Sequence, residues 1–363
     1  MSSTHNDLLP PAHPALRILA ACLVLVPACC LAPFAVNQLQ VLWANLVAPW
    51  PLVLRIPVPE YVAELPDRTS YSLEWSPSAD EITVLLSNWT SISPDAPSTV
   101  ARVTLASRQV SYSEEPRNTA DADSPQLFVP EGFAPEQSVY AECPESDTYA
   151  LAYGFEGETY FLQVKEPDAA PRTFQFSSDQ WPVDYLTPWP LLSFSPSCGR
   201  LTLTLGGWVY YEGEGRQELW GLDIPSHQFQ RLLVGRSTFF GLWDYPVEPV
   251  RPSWSPSSTQ LAFGGGEFGL ELFDFHTNRR KQLLAPRFNA NEPIWSPTGS
   301  WIAALRYGTP KDTLLAVSPD GSILHTAAIC DLITLSTWSP KDDRLAYICT
   351  DDGKESLSIL DLR

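Results

Sequence analysis

The sequence predicts an all-β fold, a six-bladed β-propeller closed by its N-terminal strand, with a transmembrane or signal-anchor segment ahead of it. Three observations carry this expectation. First, an apolar run ends repeatedly in an aromatic residue and Ser-Pro: Trp75-Ser76-Pro77, Phe194-Ser195-Pro196, Trp254-Ser255-Pro256, Trp295-Ser296-Pro297 and Trp338-Ser339-Pro340, with Glu142-Cys143-Pro144 as a worn sixth copy. Second, the copies start 67, 52, 60, 41 and 43 residues apart. The two shortest spacings suit a four-stranded propeller blade, and the longer ones leave room for loop insertions. Third, residues 18–54 contain no Asp, Glu, Lys or Arg, and the composition changes abruptly after them.

Residues 1–17 read as a short N-terminal tail, and 18–57 as a hydrophobic membrane anchor with an interfacial segment. Ile18 to Val36 is mostly apolar and long enough to span a bilayer. Arg17 on its N-terminal flank, with the acidic chain beyond, favours an N-terminus inside and the propeller outside, a single-pass extracytoplasmic arrangement. Leu19-Ala20-Ala21-Cys22 and Val26-Pro27-Ala28-Cys29 resemble lipoprotein boxes, so a lipoprotein and ordinary secretion remain alternatives. Leu39 to Leu54, with Trp43 and Trp50, is expected at the membrane interface or as a second hydrophobic segment.

Residues 58–363 are assigned to the propeller. In Trp295-Ser296-Pro297-Thr298-Gly299-Ser300-Trp301, Pro297 presets φ for a turn, Gly299 tolerates positive φ and Ser296 can bond the turn backbone. A strand ending at Trp295 and one starting near Trp301 form a hairpin, and the indole is a wedge for the space between sheets. The last blade runs out: Leu345 to Cys349 is its second strand, Leu357 to Leu362 its third, and Tyr61 to Leu65 has the alternation to supply the fourth. A plain linker is the alternative, because Pro57, Pro59 and Pro66 crowd that stretch.

The Trp-Ser-Pro turns, followed by Leu261-Ala262-Phe263 or Leu345-Ala346-Tyr347 and by strands ending in Leu222-Asp223, Phe273-Asp274 and Leu360-Asp361, resemble the WD-like repeats of TolB-type β-propellers. The resemblance covers roughly residues 60–363 and implies the fold; propellers serve as enzymes, scaffolds and binding modules alike. TolB carries an α/β domain before its propeller where this chain has the hydrophobic segment, so a role in the Tol system is not implied.

The formal net charge of −19 argues against nucleic acid as a partner of the propeller. The five His are scattered, no ligand spacing for a metal occurs, and no cofactor is expected. No nucleophile elbow is present. Asp342-Asp343 and Asp351-Asp352 are expected in solvated turns. Of seven Cys, Cys143, Cys198, Cys330 and Cys349 fall in the propeller, too few for a disulfide scaffold. Counting outward from the Pro340 turn places Cys349 opposite about Ile333, near Cys330. An outside location would permit a bridge between them, and two reduced core thiols are the alternative.

Side chains stand out on one face. In a propeller the loops joining the second and third strands, and those passing to the next blade, emerge together. That rule places Trp89, Trp208, Tyr210, Tyr211, Phe268, Arg306, Tyr307 and Lys311 in the first kind of loop and Trp181, Trp189, Trp243 and Tyr245 in the second. Aromatics among charges suit a protein or carbohydrate ligand, while packing of the long insertions is the bland alternative. The expected function is therefore a membrane-anchored extracytoplasmic binding or scaffolding module. The alternative is a propeller enzyme, a glycan lyase or hydrolase with acidic residues in the central funnel.

Overall fold

The computed structural model describes residues 52–54, 61–65, 69–87, 98–115, 138–143, 145–154, 159–177, 189–209, 214–238, 251–264, 269–288, 290–308 and 310–363. Its local unit is the Ser-Pro turn. The serine N–H donates to the carbonyl five residues on, at 2.9 Å from Ser76 to Glu81, 2.8 Å from Ser255 to Gln260 and 2.8 Å from Ser339 to Arg344. In return the N–H of Glu81, Arg200, Gln260 and Trp301 donates to the hydroxyl oxygen of Ser76, Ser195, Ser255 and Ser296 at 3.0–3.1 Å. A short hydroxyl thus closes the hairpin mouth from inside, which is why serine stands there. The fourth turn residue is left-handed, with φ of 61° at Ala79, 58° at Cys198, 60° at Ser258 and 76° at Gly299.

The described strands form six sheets around these turns. Ahead of the repeats lie β1 (Leu52–Leu54) and β2 (Tyr61–Glu64). The first sheet holds β3 (Thr69–Trp75), β4 (Glu81–Ser87), β5 (Ser98–Thr104) and β6 (Gln109–Glu115). The second holds β7 (Ser138–Glu142), β8 (Tyr149–Tyr153), β9 (Thr159–Lys165) and β10 (Arg172–Ser177), and the third β11 (Trp189–Phe194), β12 (Arg200–Val209), β13 (Glu214–Asp223) and β14 (Gln228–Thr238). In the fourth are β15 (Ser253–Trp254), β16 (Gln260–Gly264), β17 (Leu270–Asp274) and β18 (Arg279–Leu284). The fifth has β19 (Ala290–Trp295), β20 (Ile302–Arg306), β21 (Asp312–Val317) and β22 (Ile323–Cys330); the sixth has β23 (Leu332–Trp338), β24 (Arg344–Asp351) and β25 (Lys354–Asp361). Within each sheet the repeat strands pair antiparallel with their chain neighbours, the pattern of a β-propeller.

The fourth strand of the last sheet is β2, antiparallel to β25 with Tyr61 opposite Ile359 and Glu64 opposite Ser356. Leu65 continues the ladder, its N–H donating to Glu355 O at 3.0 Å, so the segment is a strand and not a linker. β1 was not anticipated. It lies inside the stretch 18–57 assigned to the hydrophobic segment, yet Leu52 to Leu54 pair in parallel with Ile323 to His325 on the outer edge of the fifth sheet. Apolar alternation serves a sheet edge as well as a membrane interface. Among the described residues no helix is long and apolar enough to cross a membrane, and residues 18–51 lie outside them.

Five buried clusters each join two sheets. They link the second to the third through Leu162 and Leu203, the third to the fourth through Leu219 and Phe263, the fourth to the fifth through Leu272 and Val317, the fifth to the sixth through Leu314 and Tyr347, and the sixth to the first through Ile348 and Val84. The motif tryptophans are wedges with a polar handle. Trp254 Nε1 donates to Ser193 O at 3.2 Å and Trp338 Nε1 to Ile294 O at 3.0 Å, each a carbonyl of the preceding sheet. Trp75 Nε1 repeats the contact to Thr337 O at 3.3 Å, so the first sheet follows the sixth as the sixth follows the fifth.

Two disulfides are present. Cys330 and Cys349 are joined with Cα atoms 5.8 Å apart, and the register puts Ile333 opposite Cys349 as counted from the turn. The second bridge was not anticipated: Cys143 is joined to Cys198, Cα atoms again 5.8 Å apart. Cys143 occupies the serine position of one turn and Cys198 the left-handed position of the next. That pairing lay between turns of neighbouring blades, which spacing along the chain does not reveal.

Candidate functional site

The end of the sheets opposite the Ser-Pro turns is best defined where the fifth and sixth sheets meet. Here β20 ends at Arg306, β21 begins at Asp312, β22 ends at Cys330, β23 begins at Leu332, and β24 turns into β25 at Asp352. Four large hydrophobic side chains are markedly exposed among the described residues, and three are at this end: Tyr307 at 44%, Ile329 at 49% and Leu332 at 46%. The fourth, Tyr112, is on β6.

Polar contacts hold this surface rigid. The buried Asp312 carboxylate accepts from Gly308 N at 3.2 Å and from Ile333 N at 3.1 Å, tying the β20–β21 loop to the start of the next sheet. Lys311 Nζ bridges Asp331 at 2.9 Å and Asp351 at 2.8 Å. Asp331 N donates to Asp351 at 3.0 Å and Asp352 N donates to Asp331 at 2.9 Å. The Asp352 amide, then Lys311, holds the Asp331 carboxyl below the usual carboxylate range, and Asp351 with Asp331 pushes the Lys311 ammonium up. Beneath these charges the Cys330–Cys349 bond joins the two sheets covalently. Tyr307 leans over the innermost strand, its hydroxyl donating to Glu292 at 2.8 Å, where β19 bulges and Glu292 takes a φ of 48°.

Of the residues expected to bind ligand, Arg306 and Tyr307 are on this surface, both exposed, with Lys311 beside them. Trp89, Trp181, Tyr210, Tyr211, Trp243, Tyr245 and Phe268 lie outside the described residues. Trp208 is not in a loop: β12 runs on through it, opposite Gly215, because the third sheet's central hairpin is longer than the ring requires. Trp189 likewise opens β11, opposite Gly206. Asp352 is an exposed turn residue as expected, its amide donating to Asp331, but the Asp351 carboxylate is paired with Lys311, and Asp343 is buried and accepts from the Thr298 hydroxyl. Ile329, Asp331 and Leu332 were missed, since a search for aromatic loops passes over a two-strand link as short as Cys330-Asp331-Leu332.

Ligand atoms of Cys330, Cys349 and Asp351 lie within 4.8 Å of one another, but the sulfurs are bonded together and offer no thiolate to a metal. At the opposite, Ser-Pro end, Asp80, Asp320 and Asp361 are also held low, chiefly by Ser78, Ser318 and Arg363, with Asp320 at about 2.

No family model and no curated protein matches the chain. Among solved structures it is similar to a protein assigned as TolB from Agrobacterium tumefaciens, at 14% identity over 81% of this chain and 90% of that one, with a TM-score of 0.37. TolB from Acinetobacter baumannii aligns at 14% identity over 78% of this chain and 64% of that one, TM-score 0.35. An oligogalacturonate lyase in complex with manganese aligns at 12% identity over 86% and 97%, TM-score 0.37. At these scores the likenesses carry no argument about activity; the propeller assignment stands on the sheets and their pairing.

Proposed function

We propose that the chain is a six-bladed propeller closed by β2, displayed outside the cytoplasm by its hydrophobic N-terminal segment, and that it binds a protein partner at the junction of the fifth and sixth sheets. The observation that carries this reading is the clustering of Tyr307, Ile329 and Leu332, three of the four exposed large hydrophobics among the described residues, on a surface fixed by a disulfide and a lysine bridged to two aspartates. Exposed apolar side chains on a preorganised, charge-rimmed base suit protein contact, because little entropy remains to be lost on binding. The two disulfides support an oxidising compartment. The test is a benzophenone side chain placed at 307 or 332 in cells, with 197 and 341 on the Ser-Pro turns as controls. A discrete protein adduct from the first pair alone is expected, its yield falling in Lys311→Ala. Equal adducts from all four positions, or none from 307 and 332, would overturn the site. For location, the full chain should pellet with membranes while external protease digests the propeller; a freely soluble full-length chain would refute the anchor.

A further inference from the structure

At the Ser-Pro end, the third and fourth sheets border a cavity of about 260 Å³ lined by Arg200, Asp223, Gln228, Gln230, Phe275, His276 and Asn278. The cavity is built by the sequence at three points. Gly221 lacks the Cβ that would lie 3.2 Å from the Phe275 ring, so that ring of the fourth sheet settles against the third. Gln230 Nε2 donates to Asn278 Oδ1 at 3.0 Å across the seam, fixing both amides at the rim. Arg200 lies 3.1 Å from Asp223 and 5.2 Å over Phe275, one guanidinium nitrogen donating to Ser258 O at 2.6 Å.

The same arginine position recurs in the sixth sheet and shows what is different here. Arg344 Nε meets both oxygens of Asp342, at 2.9 and 3.0 Å, while its fork reaches Ala79 O at 2.9 Å and its charge lies 5.3 Å over Trp75. In the third sheet the residue matching Asp342 is Cys198, already bonded to Cys143. Arg200 therefore lacks that carboxylate, its Nε finds no aligned acceptor, and its charge is balanced by Asp223, which faces it across the strand pair. A space between the two sheets is left open beside them.

We infer that this cavity is a binding site for one neutral sugar ring. Arg200 and Asp223 neutralise each other, so an added anion or cation would have to compete with a partner already in place. The rim offers three carboxamides, each donor and acceptor at once, which is the complement of a hydroxyl. Phe275 supplies an apolar wall for the C–H face of a pyranose, and a cavity with one aromatic wall and a few convergent polar groups is the usual form of a small-ligand site. The site is on the face away from Tyr307 and does not rest on the proposed protein contact.

Saturation-transfer NMR of the full-length protein with neutral methyl glycosides (gluco, galacto, manno and N-acetylglucosamine) and with glucuronate tests it. Transfer to ring C–H protons of at least one neutral glycoside is expected. The variant carrying Gln230→Ala and Asn278→Gly should weaken binding about tenfold, as for two lost hydrogen bonds. Asn278 is exposed and Gln230 half-buried, and glycine suits the positive φ of 55° at Asn278, so the fold is kept. Tyr307→Ala should change nothing. No transfer to any neutral glycoside, transfer unaltered by the double variant, or transfer to glucuronate alone would overturn the inference.

Discussion

Replacing Tyr61 to Leu65 by a Gly-Ser stretch of equal length removes the strand that completes the last sheet while leaving the chain connected. The structure sets the cost. Four residues of β2 are in register with β25, and Leu65 adds a further backbone bond to Glu355. About five hydrogen bonds at about 0.5–1.5 kcal/mol each are lost. Leu65, 8% exposed in the cluster that joins the sixth sheet to the first, contributes about 1.5–3 kcal/mol more by burial. The loss of roughly 4–10 kcal/mol is comparable to the whole stability of an ordinary domain, about 5–15 kcal/mol. Denaturant unfolding followed by tryptophan fluorescence should show a transition shifted far to low denaturant, or none. The milder Leu65→Asp, which buries a charge in the same cluster, should lower the midpoint by a smaller step. Curves for both variants that coincide with the parent would refute closure by β2, because an edge that costs nothing to expose is not holding the ring.

Changing Trp254, Trp295 or Trp338 to Ala should each destabilise by about 3–5 kcal/mol, the range for truncating a buried large aromatic; calorimetry showing less than about 1 kcal/mol at all three would remove them from the core. Loss of Cys143–Cys198, which closes 55 residues of chain, should cost about 4 kcal/mol, and of Cys330–Cys349, closing 19, about 3 kcal/mol; free thiols at these positions in peptide maps made without reductant would contradict both bonds. Burial, then the Glu218 carboxylate, pushes the Tyr160 phenol up to about 12. The folded state therefore holds that proton more tightly than the unfolded chain, where tyrosine titrates near about 10, so its contribution is complete below about pH 10 and is lost as pH rises toward about 12. Tyr160→Phe should flatten the stability curve in that window, and an unchanged alkaline limb would count against the assignment.

The fold was legible because the Ser-Pro turn solves the same problem each time. Ser76, Ser195, Ser255 and Ser296 all close a hairpin mouth with one hydroxyl, and a requirement so local leaves a local signature. The closing strand and the Cys330–Cys349 bond were also readable, since both follow from counting pairs outward from a turn. The proposed binding surface was legible only at Arg306, Tyr307 and Lys311. Asp312 and Asp331 act through contacts between the fifth and sixth sheets, Ile329 and Leu332 flank the short link between them, and nothing in the order of the chain records that Lys311 meets one aspartate from that link and one from the neighbouring sheet. β1 escaped for a different reason, because three apolar residues without charge read alike at a sheet edge and a membrane surface.

The repeat also tells where to look for what it does not explain. The recurring turn is mostly satisfied internally: the turn serines bond their own backbone, and Trp254 and Trp338 bond the preceding sheet, while Trp295 Nε1 is buried without an acceptor. The bonded groups have little left to offer a ligand. Two places among the described residues stand apart from this repeat. In the third sheet Arg200 has no counterpart of the Asp342 that meets Arg344 in the sixth, and a cavity lies beside it; at the fifth, the loop from Arg306 to Asp312 and the link at Asp331 leave Tyr307, Ile329 and Leu332 in solvent. Among the described residues, repetition therefore accounts for structure, and these two departures from it are where the proposed protein contact and sugar site are to be tested.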